Sequence, residues 1–168
     1  KEVARIVSAT EAKMVSSLTL AAIDDWETGK SDLIDFARKS RSSAMGEEAL
    51  NALIVSSKEK GDMETLFSAG EDLVRQYPRS GKVESTLGVM IDTSLKTARF
   101  RLVAEYLESF AIRLPTHANT RDFLEQAGWI RKDLGQFDRS NQNFAKLIQR
   151  KIKDAGRRDE IVFAMADN

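Results

Sequence analysis

Three short motifs recur along the chain at equal steps. Gly61-Asp62-Met63, Ala98-Arg99-Phe100 and Gly135-Gln136-Phe137 each place a small residue two positions before a Met or an aromatic (98 − 61 = 135 − 98 = 37). The chain has only two prolines, in Tyr77-Pro78 and Leu114-Pro115, and they keep the same step of 37. An internal period of this length constrains a chain more than any local propensity. Each unit must be one supersecondary piece that buries its apolar face against its neighbours.

The hydrophobic pattern makes each unit two helices. Over Glu47–Lys60, Leu50, Leu53, Ile54 and Ser57 fall at i, i+3, i+4 and i+7, which is one helical stripe. Gly61 ends that helix in a conformation that would cost a residue with a Cβ. Met63, Leu66, Phe67, Leu73 and Val74 line a second helix, which stops before Pro78 because proline disfavours helix at the preceding residue. Leu87, Met90 and Ile91, then Phe100, Val103, Leu107 and Phe110, repeat the arrangement. Leu124, Ala127 and Gly128, then Phe137, Phe144, Leu147 and Ile148, repeat it again. Small residues such as Ala69 and Gly128 mark where paired helices approach most closely.

These units resemble tetratricopeptide repeats: an apolar residue, a small or apolar pair three and four places on, Gly-x-aromatic at the turn, and a closing proline. The ending Leu73-Val74-Arg75-Gln76-Tyr77-Pro78-Arg79-Ser80 is similar to unit endings in bacterial cell-envelope scaffold proteins of that superfamily. The resemblance covers about residues 47–154. The first-helix Trp and Tyr of the family pattern are absent, Ile152 stands where the last proline would fall, and each unit is longer by three residues. The resemblance implies an all-α fold, a right-handed α-solenoid of stacked antiparallel helix hairpins with about eight or nine helices. The units would be 47–83, 84–120 and 121–154, after a degenerate hairpin over 1–46. That hairpin reads as a long helix, Lys1–Thr28, broken at Gly29 and followed by a shorter one over Ser31–Ser42. Residues 155–168 read as the start of a further repeat or as a capping helix: Ile161 is in phase with Leu124, and the apolar end of Val162, Phe163 and Met165 favours continuation.

Composition narrows the function. Of 168 residues, 42% are hydrophobic and 31% charged, as in an ordered globular chain. The 26 basic and 26 acidic residues cancel, which removes the field that general nucleic-acid binding needs. With no cysteine there is no disulfide, thiolate nucleophile or cysteine-based metal site. No apolar run approaches the ~20 residues of a membrane span. The longest, from Leu18 to Ile23, ends in Asp24-Asp25. The opening Lys1-Glu2-Val3-Ala4-Arg5-Ile6-Val7 already reads as mid-helix, so a longer repeat protein is the expected parent.

Catalytic constellations are missing from the pattern. The one histidine, His117, follows Leu114-Pro115-Thr116 in a connection and reads as a loop residue rather than a base. Gly29-Lys30-Ser31 imitates the end of a phosphate-binding loop, but Asp24 stands where the first glycine is required, and Ser31 reads as a helix N-cap. Asp24, Asp25 and Glu27 lie on different faces of a helix end, with no calcium-loop spacing after them. No enzyme activity, cofactor or metal is therefore expected.

A protein or peptide partner is the remaining expectation. First-helix positions left over from the core stripes are Asn51, Val55 and Lys58, then Asp92 and Leu95, then Glu125, Trp129 and Lys132. In the family these would line a concave groove. Trp129 has the area and the N–H donor of a binding hot spot, or else it packs against a neighbouring hairpin. Asn51 and Lys58 do not reproduce the Lys and Asn pairing with which co-chaperone repeats grip a C-terminal carboxylate, and Asp92 and Glu125 would repel one. Lys146, Arg150, Lys151, Lys153, Arg157 and Arg158 form the one charged asymmetry, read as helix-end cations partly neutralised by Asp154, Asp159 and Glu160. The expected function is a non-catalytic scaffold in a multiprotein assembly, with periplasm or envelope favoured over cytoplasm. The alternative is a regulatory or substrate-docking region of a larger enzyme or sensor.

Overall fold

Each hairpin turn shows how the sequence period becomes structure. In the computed structural model, which describes residues 14–16, 18–19, 24–150 and 154–168, Gly61, Ala98 and Gly135 all have left-handed backbones, with φ of 73°, 54° and 68°. The Asp62 amide donates to the Ser57 carbonyl at 2.9 Å and the Gly61 amide to Lys58 at 3.4 Å. Arg99 and Ala98 repeat this on Ser94 and Leu95, at 2.9 and 3.0 Å. Gln136 and Gly135 repeat it on Arg131 and Lys132, at 2.8 and 2.9 Å. These are three Schellman endings, one per period.

The helices are α1 (Trp26–Lys39), α2 (Ala44–Lys60), α3 (Met63–Gln76), α4 (Val83–Lys96), α5 (Phe100–Arg113), α6 (Thr120–Asp133), α7 (Phe137–Gln149) and α8 (Ala155–Ala166). No strand occurs among the described residues, so the protein is all-helical. The chain divides into two units, residues 1–86 and 87–168. In the first, α1 packs on α2 and α2 on α3; in the second, α5 packs on α6, α6 on α7 and α7 on α8.

The expected stripes form the core. Leu50, Leu53, Ile54 and Ser57 of α2 are buried, as are Leu66, Phe67, Leu73 and Val74 of α3. Val103, Leu107 and Phe110 of α5, Leu124 and Ala127 of α6, and Phe144 and Leu147 of α7 are buried likewise. At Gly128 a Cβ would come within 2.4 Å of the Phe144 ring, so glycine is what lets α6 and α7 close. Ile161 of α8 is fully buried at its in-phase position, while Val162 and Phe163 face solvent.

Two expectations are corrected. The chain does not break at Gly29, and Ser31 is not an N-cap: α1 starts at Trp26 and runs through a buried Gly29. Asp25 caps it, accepting from the Thr28 amide at 3.3 Å and the Thr28 hydroxyl at 2.8 Å. A helix-interior glycine costs about 1 kcal/mol, which such a cap and the burial of Leu33 and Ala37 offset. Phe100 and Phe137 are not core residues but about half exposed. Each is the first residue of its helix, before the buried stripe begins. α2 also begins at Ala44, ahead of Glu47, with the Ser43 hydroxyl accepting from the Gly46 amide. The expected helix over Lys1–Thr28 falls mostly outside the described residues, as do Lys151, Ile152 and Lys153.

Candidate functional site

The positions expected to meet a partner separate into two kinds. On α2, Val55 and Lys58 are exposed and Asn51 is half-buried. On α4, Leu95 is exposed, and Asp92 is half-buried with the Lys96 ammonium 2.8 Å away. Val55 and Leu95 are each about half exposed, large apolar side chains left outside the core.

On α6, Glu125 and Lys132 face the last segment instead, and Trp129 packs on the core. Glu125 is ion-paired with Arg157. Lys132 donates to the Asp167 carboxylate at 3.0 Å, the Ala164 carbonyl at 3.1 Å and the Asn168 side chain at 2.9 Å. Trp129 sets its ring edge-on to Phe144 of its own hairpin, centroids 5.0 Å apart, and like Met165 packs on the core cluster of Ile161 and Ala164. It remains half-buried rather than enclosed. Glu125 and Lys132 tie the last helix to α6.

Two polar networks were not anticipated. Asp62, the N-cap of α3, accepts from the Thr65 amide at 3.0 Å, the Thr65 hydroxyl at 2.8 Å, Trp26 Nε1 at 3.1 Å and Lys30 Nζ at 3.2 Å. Burial opposes the Asp62 charge, but these donors outweigh it and hold the carboxyl at about 2. The pair Asp25 and Thr28 stands one period before Asp62 and Thr65 with the same bonds, a signal the sequence carried. The ammonium of Lys30 lies 2.9 Å from Glu27 and 5.6 Å from the Trp26 ring centroid, so the residue of the loop-like Gly29-Lys30-Ser31 ties α1 to α3.

The second network is centred on Arg131, whose side chain is wholly buried. Its Nη1 donates to Gln136 at 2.6 Å, while Nε and Nη2 grip Glu108 of α5. Asn143 of α7 donates to the same carboxylate at 2.7 Å. Burial raises the Glu108 carboxyl, and the bonds from Arg131 and Asn143 more than reverse it. Arg131 occupies the turn position that Ser94 and Ser57 hold one and two periods earlier, both fully buried.

His117 accepts the Asn119 amide at 3.2 Å and stands edge-on to Phe110, centroids 5.0 Å apart. Arg150 donates to the Pro115 carbonyl at 2.6 Å, and Arg157 is also paired with Glu160. Among the described residues no cluster of His, Asp or Glu is arranged to hold a metal, and no helix is long and apolar enough to cross a membrane. Set against family models, curated proteins and solved structures, the chain matches none of them.

Proposed function

We propose that this chain is a non-catalytic protein–protein interaction scaffold built as a right-handed α-solenoid of tetratricopeptide type. One observation carries the reading: the same Schellman ending, with the same two hydrogen bonds, at Gly61, Ala98 and Gly135. Contacts between residues just under one period apart support it. Trp26 and Lys30 reach Asp62, Lys82 reaches Glu47, Asn143 reaches Glu108 and Arg157 reaches Glu125. Stacked repeats produce such contacts because each unit lies on the next in one register.

The partner is a peptide or protein segment docking on first-helix residues: in the first unit Val55 is an apolar anchor with Lys58 beside it, and in the second unit Leu95 is an apolar anchor with Asp92 beside it. The setting is a multiprotein assembly, with the bacterial envelope favoured on the Tyr77-Pro78 unit ending alone. The test uses the full parent chain carrying Val55→Asp with Leu95→Asp, substitutions at exposed positions that should leave helicity unchanged. Loss of cross-linked partners with an unaltered circular dichroism spectrum supports the reading. Retention of every interaction sinks it.

A further inference from the structure

The second helices of successive hairpins leave a cleft over the first helix between them, and this cleft occurs in both units. In the second unit it has a volume of about 260 Å³, between Ala111 and Ile112 of α5 and Lys146, Gln149 and Arg150 at the end of α7, over Leu124. In the first unit a cleft of about 330 Å³ lies between α1 and α3. Two periods separate the corresponding lining residues. Ala37 answers to Ala111, Arg38 to Ile112, Leu50 to Leu124, Asp72 to Lys146 and Gln76 to Arg150. The repeat therefore builds the cleft and keeps its apolar floor, while the rim varies. Carboxylates of Asp62, Glu64 and Asp72 line the first cleft, and among the described residues no carboxylate lines the second.

We propose that the α5–α7 cleft is a docking site for an acidic, apolar-centred peptide segment of a protein partner; this deepens the scaffold reading and rests on it. Charge selects the occupant. Lys146 makes no hydrogen bond or ion pair among the described residues, and the bond to the Pro115 carbonyl fixes Arg150 at the rim. Ile112, 67% exposed, offers an apolar wall that Arg38 does not offer in the first cleft. The volume also bears on the class of ligand. It lies below the ~300–1,000 Å³ of sites that enclose a whole small molecule, and suits one large side chain of a longer segment. Glutamates or aspartates beside that anchor would meet Lys146 and Arg150, the mode by which basic clusters read acidic motifs.

The test titrates the full chain into an array of short fluorescent peptides centred on Leu, Ile or Phe and flanked by glutamates, serines or lysines. Glutamate-flanked members are expected to bind about tenfold more tightly than lysine-flanked ones and to weaken as salt is raised. The Lys146→Glu, Arg150→Glu variant should reverse that preference, and the milder Lys146→Gln, Arg150→Gln variant should erase it. Ile112→Ser should weaken all members alike. Absence of binding, absence of a charge preference, or a preference that survives both double variants overturns the proposal. Phosphatidylglycerol vesicles form a separate arm: binding to them alone, lost in the double variants, overturns it in favour of a lipid surface. The Val55→Asp, Leu95→Asp parent chain separates the two readings. If it loses partners while the array stays silent, only the cleft assignment fails; if it keeps all of them, the scaffold reading fails first.

Discussion

Arg131 and Glu108 form a two-bond pair, Nε to Oε1 at 2.9 Å and Nη2 to Oε2 at 2.8 Å, with the arginine side chain entirely out of water. Removing Arg131 takes the counter-charge from the Glu108 carboxylate and leaves it the Asn143 bond. Arg131→Met should therefore destabilise the protein by about 3–5 kcal/mol in urea unfolding. Arg131→Met combined with Glu108→Leu should recover much of that loss, because apolar side chains of similar volume do not carry the desolvation penalty. A double variant no more stable than Arg131→Met would show that the pair is not the source of the effect.

The left-handed turns give a test of opposite signs. Ala98→Gly should stabilise the protein by about 1 kcal/mol, since Ala98 holds a φ of 54° that glycine adopts without strain. Gly61→Ala and Gly135→Ala should each cost about as much. Nothing lies within 4 Å of a Cβ at Gly61 or Gly135, so the effect there is conformational and not steric. Thermal unfolding of the three variants reads all the signs, and a destabilised Ala98→Gly would contradict the turn assignment.

Gly128 tests packing instead. Gly128→Ala drives a methyl into the Phe144 ring and should cost about 1–3 kcal/mol. Because Trp129 lies edge-on to that ring, the variant should also shift tryptophan emission. Adding Phe144→Leu should relieve part of the clash. If Gly128→Ala unfolds at the wild-type urea midpoint, α6 and α7 do not approach as closely as described.

Asp62 makes stability depend on pH. Its folded pKa of about 2 lies below the ordinary 3.8, so its contribution is present above pH 4 and is lost as pH falls through 2. With a side chain 19% exposed and screened by solvent, that contribution is about 1 kcal/mol. Asp62→Asn should therefore be less stable than wild type at pH 6, with the gap closing towards pH 2. A gap that stays constant across that range would remove the carboxylate from the account. Glu47 and Glu108 are shifted in the same direction, the first chiefly by its bond from Ser80 and the second against burial by Arg131.

The turns and core stripes could be read from the chain because they repeat. Three copies of one small-residue turn and one apolar spacing reinforce each other, and Leu50, Leu87 and Leu124 are all buried as that phase requires. Side chains that appear once were harder to place. Arg131 was not singled out in the sequence, because arginine on an amphipathic helix usually faces water, although its phase matches buried Ser57 and Ser94. Glu125 and Lys132 looked free because their partners, Arg157 on α8 and Asp167 at its C-cap, lie about one period further along. Gly29 looked like a helix break because propensity is local, whereas the cap that sets the boundary is Asp25 with Thr28.

The shared turn geometry at Gly61, Ala98 and Gly135 also sets what lengths this chain can tolerate. Duplicating or deleting one whole period would carry a turn, its two carbonyl acceptors and its helix pair as a set, and every surviving side chain would keep its face. An insertion inside a helix that is far from a whole number of turns would rotate the stripe beyond it off the core. Length changes that keep every turn with its helix pair are therefore steps of 37 residues, the spacing of the three turns.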